Sequence, residues 1–404
     1  MQVLEKNVVA QHQPGRAPLC AGISYIHPQQ PVVLRRLGWE VSDDVHDEFS
    51  DSISEDNGQT WSEPWPSLRS TPVPGGFIVH SDSAFLYLAE RDQLLHLTND
   101  KLEPDLVSGT DGYLSGARVR ITCGAPLDVS RGQHAPPVIS DFGLKQGLYV
   151  SFVCPLHDSR GRILVPVMMQ RVDEDGTLRQ RGFRATRDFP DVMRDVWDSA
   201  LVIGQPRDGN TWEWQLGGPV PFDVERSSYL GEGTLAELGD GRLAQVLRGT
   251  NVMWPERPGY KWLSFSADGG VTWSPAEPLH CDDGTLLESS ATGSVLFRSI
   301  RNGRLYWIGN LCTEGERPNG NMPRSPLTIC EVQEEPFALK RGTLTVIDRR
   351  APHEDARVQH SNFKFYQDRA SGDVVLLLTR YGERGSDGLD WMKADLYQYR
   401  VAID

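Results

Sequence analysis

An octapeptide that occurs twice narrows the possible folds of this chain more than anything else in its sequence. Residues 54–61 read SEDNGQTW and residues 266–273 read SADGGVTW, so Ser, Asp, Gly, Thr and Trp recur at the same offsets. Asn-Gly and Asp-Gly are strong turn formers, because glycine reaches φ > 0 without steric cost and Asp or Asn can bond its own backbone. The Thr-Trp that follows suits an extended chain. Each copy therefore reads as the tip of a β-hairpin with the Trp packed beneath it. Repetition implies one supersecondary unit used several times. RDGNTW at 207–212 keeps the D-G-x-T-W core, and DEDGTL at 173–178 keeps less.

Between these tips the chain alternates short apolar runs with turn residues. Strands are predicted at 31–42, 84–90, 148–154, 161–170, 199–205, 233–238 and 241–249. Others are predicted at 260–266, 303–310, 326–332, 343–348, 373–381 and 394–401. The best helix candidate is RDFPDVMRDVWDS at 187–199, short and interrupted by a proline. Many short strands at regular spacing imply a sandwich, barrel or propeller. The repeated tips, and the similar strand entries ELGDGRL and NGRLY, favour a propeller. Blades of about 45–65 residues would give six, or alternatively seven, of them. No composition shift marks a linker, so one domain spanning residues 1–404 is the expectation.

The net charge is −14, which argues against nucleic acid and offers nothing to an anionic membrane. An acidic ligand would need a local cluster of Arg working against the overall field. The six cysteines show no CxxC spacing and are expected to be buried thiols rather than disulfides. The first residues, MQVLEKNVVAQHQPG, lack an apolar signal core, so a cytoplasmic protein is expected. No metal or nucleotide motif appears, and no cofactor is implied.

The octapeptides match S-x-D-x-G-x-T-W, the Asp box or BNR repeat, and on them the chain resembles the sialidase superfamily. The resemblance implies an all-β, six-bladed propeller whose boxes lie on the blade rims, away from the chemistry. It extends to EGTLAELGDGRLAQVLR at 232–248, which is similar to a family segment carrying a buried Glu and a substrate Arg; these would be Glu232 and Arg248. GNMPRSPLTICEV at 320–332 resembles the strand supplying another Arg, here Arg324, and RAP at 16–18 makes Arg16 the candidate first Arg. VSDDVHDEF at 41–49 occupies the place of the acid/base Asp, a role for Asp44 or Asp43. The family's Tyr nucleophile has no match: His360-Ser361 stands where Tyr-Ser is expected, with Tyr366 and Tyr381 further on.

Two carboxylates beside an Arg cluster suit hydrolysis at a sugar bearing a carboxylate, because guanidinium binds carboxylate through a planar fork. The leading expectation is therefore an exo-acting glycoside hydrolase that removes a terminal, acidic sugar from an oligosaccharide or glycan. A water-using hydrolase needs no protein nucleophile. The first alternative is a polysaccharide lyase acting on a uronate glycan, with a His base and Arg stabilising the enolate. The second is a non-catalytic glycan-binding propeller. By the resemblance to sialidase-like propellers, His46, His134 and His360 are the histidines that such chemistry would use. Each also has a plain structural reading: His46 as an exposed or strand-end residue, His360 as a turn cap, and the acids at 43–48 as a solvated loop. Trp39, Trp254, Trp262 and Trp307 are either packing residues or sugar platforms.

Overall fold

A computed structural model of the chain describes residues 1–42, 45–103, 118–131, 138–140, 142, 148–150, 154–172, 175, 177, 180–182, 193–208, 211–385 and 388–404. Its tertiary contacts divide it into two units, residues 1–150 with 362–404 and residues 151–361. Among the described residues each unit holds three antiparallel meanders, and the second also a two-stranded ribbon of Gln180–Gly182 and Met193–Asp195.

In the first unit one meander runs Ala17–Tyr25, Val33–Ser42, Val45–Ser54 and Trp65–Arg69, each strand paired with the next. A second contains Gly76–Leu88, Gln93–Glu103 and Arg118–Gly124. The third joins Lys364–Gln367, Val374–Thr379 and Leu396–Ala402, and Gln2–Ala10 pairs with the last of these. The first and third share a core of Cys20, Ile23, Val33, Tyr366, Val375 and Leu377, with Trp61 packed on it.

The second unit repeats the plan. Ile163–Gln170, Trp197–Pro206 and Trp212–Leu216 form one meander. The next runs Leu230–Glu237, Leu243–Gly249, Lys261–Ser266 and Glu277–Pro278. The last runs Val295–Arg298, Leu305–Asn310, Leu327–Glu334 and Phe337–Leu339. Leu164, Leu201, Leu230, Leu243 and Trp273 fill the space between the first two meanders. Ala244, Val246, Leu296, Trp307 and Cys330 fill the next.

The two octapeptides are superimposable in their bonding. Asp56 accepts hydrogen bonds from Gln59 N (3.0 Å), Thr60 N (2.8 Å), Thr60 Oγ1 (2.5 Å) and Ser54 Oγ (2.7 Å). Asp268 accepts from Val271 N (3.1 Å), Thr272 N (2.9 Å), Thr272 Oγ1 (2.6 Å) and Ser266 Oγ (2.8 Å). In both, the serine hydroxyl also accepts from the amide four residues on, Gly58 or Gly270, at 2.7 Å. The two residues after the Asp are left-handed: Asn57 and Gly58 at φ 65 and 84, Gly269 and Gly270 at φ 82 and 95. That conformation is why Asn or Gly stands there. Both tips join the third and fourth strands of their meander. In the 207–212 segment, which leads from Trp197–Pro206 to Trp212–Leu216, the Thr211 hydroxyl instead bonds the Asp208 backbone carbonyl.

The helix expected at 187–199 does not form among the described residues. Met193–Asp195 and the start of Trp197–Pro206 are strands there, and Trp197 pairs with Gln170. Val196, Trp197 and Ala200 are buried, so pairing and burial outweigh a weak helical period. All six cysteines are free thiols. Trp262 and Trp307 are buried packing residues, while Trp39 and Trp254 are half-buried.

Candidate functional site

The site is assembled on the two meanders of the second unit that begin at Leu230 and Val295. In the first of these the ladder pairs Gly231 with Arg248 and Thr234 with Val246, so Glu232 and Gly233 form a bulge. Glycines flank the glutamate because the neighbours press close. A Cβ at Gly231 would lie 2.1 Å from Met168 Sδ, and one at Gly233 would lie 2.1 Å from Gln245 Nε2. Glu232 itself sits at φ 42, a conformation that costs a non-glycine residue about 1 kcal/mol. The bulge brings its carboxylate to Arg248, whose Nη1 donates to Glu232 Oε1. The pair is largely buried, with side chains 10% and 14% exposed.

Arg248 reaches further. Its Nη2 donates to Asn321 Oδ1 at 2.9 Å. Asn321 also faces the next arginine, since Arg324 Nε donates to the Asn321 backbone carbonyl at 3.2 Å. Arg324 Nη1 donates to Gln359 Oε1 (2.9 Å) and Ser361 Oγ (3.2 Å). One asparagine thus couples two guanidiniums. The loop that carries Asn321 and Arg324 is held by buried amides. Asn251 Nδ2 donates to Pro318 O at 2.7 Å and its Oδ1 accepts from Gly320 N at 3.0 Å. Asn310 Nδ2 reaches the carbonyls of Arg324, Pro326 and His360 at 2.9–3.1 Å.

The structure brings together three of the residues chosen from the sequence: Glu232, Arg248 and Arg324. His360 joins them through its backbone, its N donating to Arg324 O at 2.8 Å. Its ring is fully buried, with Nε2 3.5 Å from Asp348 Oδ2. The remaining choices belong to the first unit. Arg16 donates twice to Gln13 Oε1, at 2.9 and 2.7 Å, and lies over the Trp39 ring at 4.8 Å. His46 is buried, pairs with Glu40 across its hairpin, and has its ring 5.8 Å from Phe49. Asp43, Asp44 and His134 lie outside the described residues.

Sequence reasoning missed Asn321, Gln359 and the buried Lys261. It also missed an acid–phenol pair in the first unit: Tyr381 Oη donates to Glu40 Oε2, both side chains are buried, and Trp391 stacks on Tyr381 at 5.9 Å. Lys261 alone carried a signal, as a lone charge inside an apolar strand. Among the described residues no group of three His, Cys, Asp or Glu side chains is placed to hold a metal ion.

No family model matches the chain, and no curated protein matches it. Solved structures do. A Hadza microbial sialidase, Hz136, aligns at TM-score 0.59 and 13% identity over 98% of this chain, which spans 66% of that one. The intramolecular trans-sialidase from Ruminococcus gnavus aligns at TM-score 0.58 and 13% identity, over 98% of this chain and 96% of its own. The chain carries a sialidase-like six-bladed β-propeller. The same propeller is shared with the α-L-arabinofuranosidase of Fusarium graminearum, at TM-score 0.56 and 12% identity over 99% of this chain and 98% of that one. The propeller's neighbours are therefore glycoside hydrolases, and six blades replace the alternative of seven.

Proposed function

We propose that the chain is an exo-acting glycoside hydrolase that removes a terminal acidic sugar from an oligosaccharide or glycan. The observation that carries this reading is the array Glu232–Arg248–Asn321–Arg324. Two guanidiniums held in fixed orientation suit a carboxylate, whose two oxygens accept charge-assisted N–H bonds. Among the neighbours, those named as sialidases fit this array better than those named for arabinose, a neutral sugar. Glu232 is the proposed base, Asp44 the proposed proton donor, and Arg16 a third arginine. His46 is proposed as a further catalytic histidine and His134 as a substrate contact. His360 is assigned a positioning role, because a fully buried ring beside Asp348 has no open edge for a substrate proton. That favours hydrolysis over elimination. The two octapeptides are proposed to be Asp boxes in the family sense, rim hairpins that specify the fold.

The test is a panel of oligosaccharides ending in sialic acid, uronic acid or arabinose, read by mass spectrometry and short-ultraviolet absorbance. The expected result is release of an acidic sugar with uptake of one water, lowered about 100-fold or more in Glu232→Gln. Release of arabinose alone would overturn the acidic substrate. Cleavage without water uptake and with new absorbance would make the protein a lyase, and no cleavage of any member would leave a binding propeller.

A further inference from the structure

Lys261 is a buried charge for which the site chemistry so far has no use. It stands opposite Arg248 in the ladder and is 2% exposed. Its ammonium donates to Ser290 O (3.2 Å), to Thr292 Oγ1 (2.9 Å) and to Thr292 O. Three N–H donors meet three oxygens, which a neutral amide with two donors could not match. The ammonium thus ties residues 290–292 to the strand next to Arg248. That turn in turn grips the arginine loop twice. Ala291 N donates to Gly320 O at 2.8 Å, and Ser290 Oγ donates to Pro323 O at 2.5 Å. Gly320 precedes Asn321, and Pro323 precedes Arg324.

We propose that Lys261 is a positioning residue of the arginine array: through the Ser290–Thr292 turn it sets where Asn321 and Arg324 stand against Arg248. Its bearing on substrate rests on reading that array as a carboxylate site. Lysine also adds a third cation there. The charged and titratable groups around it are Arg248, Glu232, Arg324 and the Cys312 thiol. Burial pushes its pKa down to about 7, the two arginines add to the fall, and Glu232 and Cys312 oppose it. Losing a proton near neutrality removes one donor from the brace and one positive charge from beside the array.

Two variants test this. Lys261→Met removes the brace. Ser290→Ala keeps the lysine and cuts only the bond to Pro323. Hydrogen exchange of the 318–326 peptide, measured without ligand, should speed up about 10-fold in Lys261→Met and detectably in Ser290→Ala. Exchange of Leu243–Gly249 should change only by the loss of global stability that urea unfolding measures, and reports an intact fold. Unchanged exchange of 318–326 in a folded variant overturns the brace, and Ser290→Ala decides alone if Lys261→Met fails to fold. Calorimetric titration with N-acetylneuraminic acid and D-glucuronic acid, at about pH 6 and about pH 8, supplies a readout that a purely structural lysine would not move. Wild-type affinity should fall several-fold at the higher pH, and Lys261→Met should show no such fall. Equal pH dependence in both proteins would overturn the proposal. If the wild type binds neither acid, the carboxylate reading fails, while the exchange data still decide the brace.

Discussion

Replacing Lys261 by Met should change how the stability of the protein depends on pH. Burial holds the folded lysine down to about 7, against the ordinary 10.5 of a free lysine. Between these values the unfolded chain binds up to one proton more than the folded one, so unfolding free energy rises with pH. The penalty of a buried charge is fully present below about pH 7 and is relieved as pH climbs toward the unfolded value. One proton corresponds to about 1.4 kcal/mol per pH unit, or roughly 2–3 kcal/mol between pH 7 and 9. Above 9 the raised thiols of Cys20 and Cys281, both near 11, act the other way, because stability present below pH 9 is then lost. The methionine variant removes the charge but leaves three oxygens without their donor, at about 1–3 kcal/mol for each unsatisfied group. The assay is urea unfolding of both proteins at pH 6, 7, 8 and 9. The gap between wild type and variant should stay flat from 6 to 7 and then widen in favour of the wild type. Parallel curves across the whole range would refute the reasoning, because they would mean that the lysine keeps its proton.

Trp307 is fully buried, and a Cβ on Gly309 would lie 2.4 Å from its ring; Trp307→Ala should cost about 3–5 kcal/mol, read by denaturant unfolding. Burial raises the Asp268 carboxyl, but the bonds from Thr272, Ser266 and Val271 together hold it at about 2, below the ordinary 3.8 of a free aspartate. Stability from this group is present above about pH 4 and is lost as pH falls toward 2. Asp268→Asn should flatten that acid limb in thermal melts, and an unchanged limb would show that the carboxylate does not hold the tip.

Much of the fold could be read because its determinants are local. Val374–Thr379 is an apolar run bounded by turns, and Ser266–Trp273 encodes its own left-handed pair. The segment 187–199 misled because its described part is set by pairing, Met193–Asp195 with Gln180–Gly182 and Trp197–Pro206 with Ile163–Gln170, partners that helical periodicity does not reveal. Glu232 and Arg248 could be found together because they share one hairpin. Asn321 could not: its side chain meets Arg248 across 73 residues of chain, and the run PNGNMPR reads only as a loop. His360 was chosen for its place in the chain, and nothing in His-Ser-Asn foretold a fully buried ring.

The pairing of Gln2–Ala10 with Leu396–Ala402 has a consequence for synthesis. A ribosome adding about 5–20 residues per second makes the first strand some 20–80 s before its partner exists. Until then the strand presents an unpaired edge carrying Leu4 and Val8, which remain half-exposed even in the finished fold. Residues 151–361 can condense while the rest of the chain is still being made. The first unit cannot, because its third meander is translated after residues 151–361. Any holdase that attends the nascent chain would find a target in Gln2–Ala10 until Leu396–Ala402 follows.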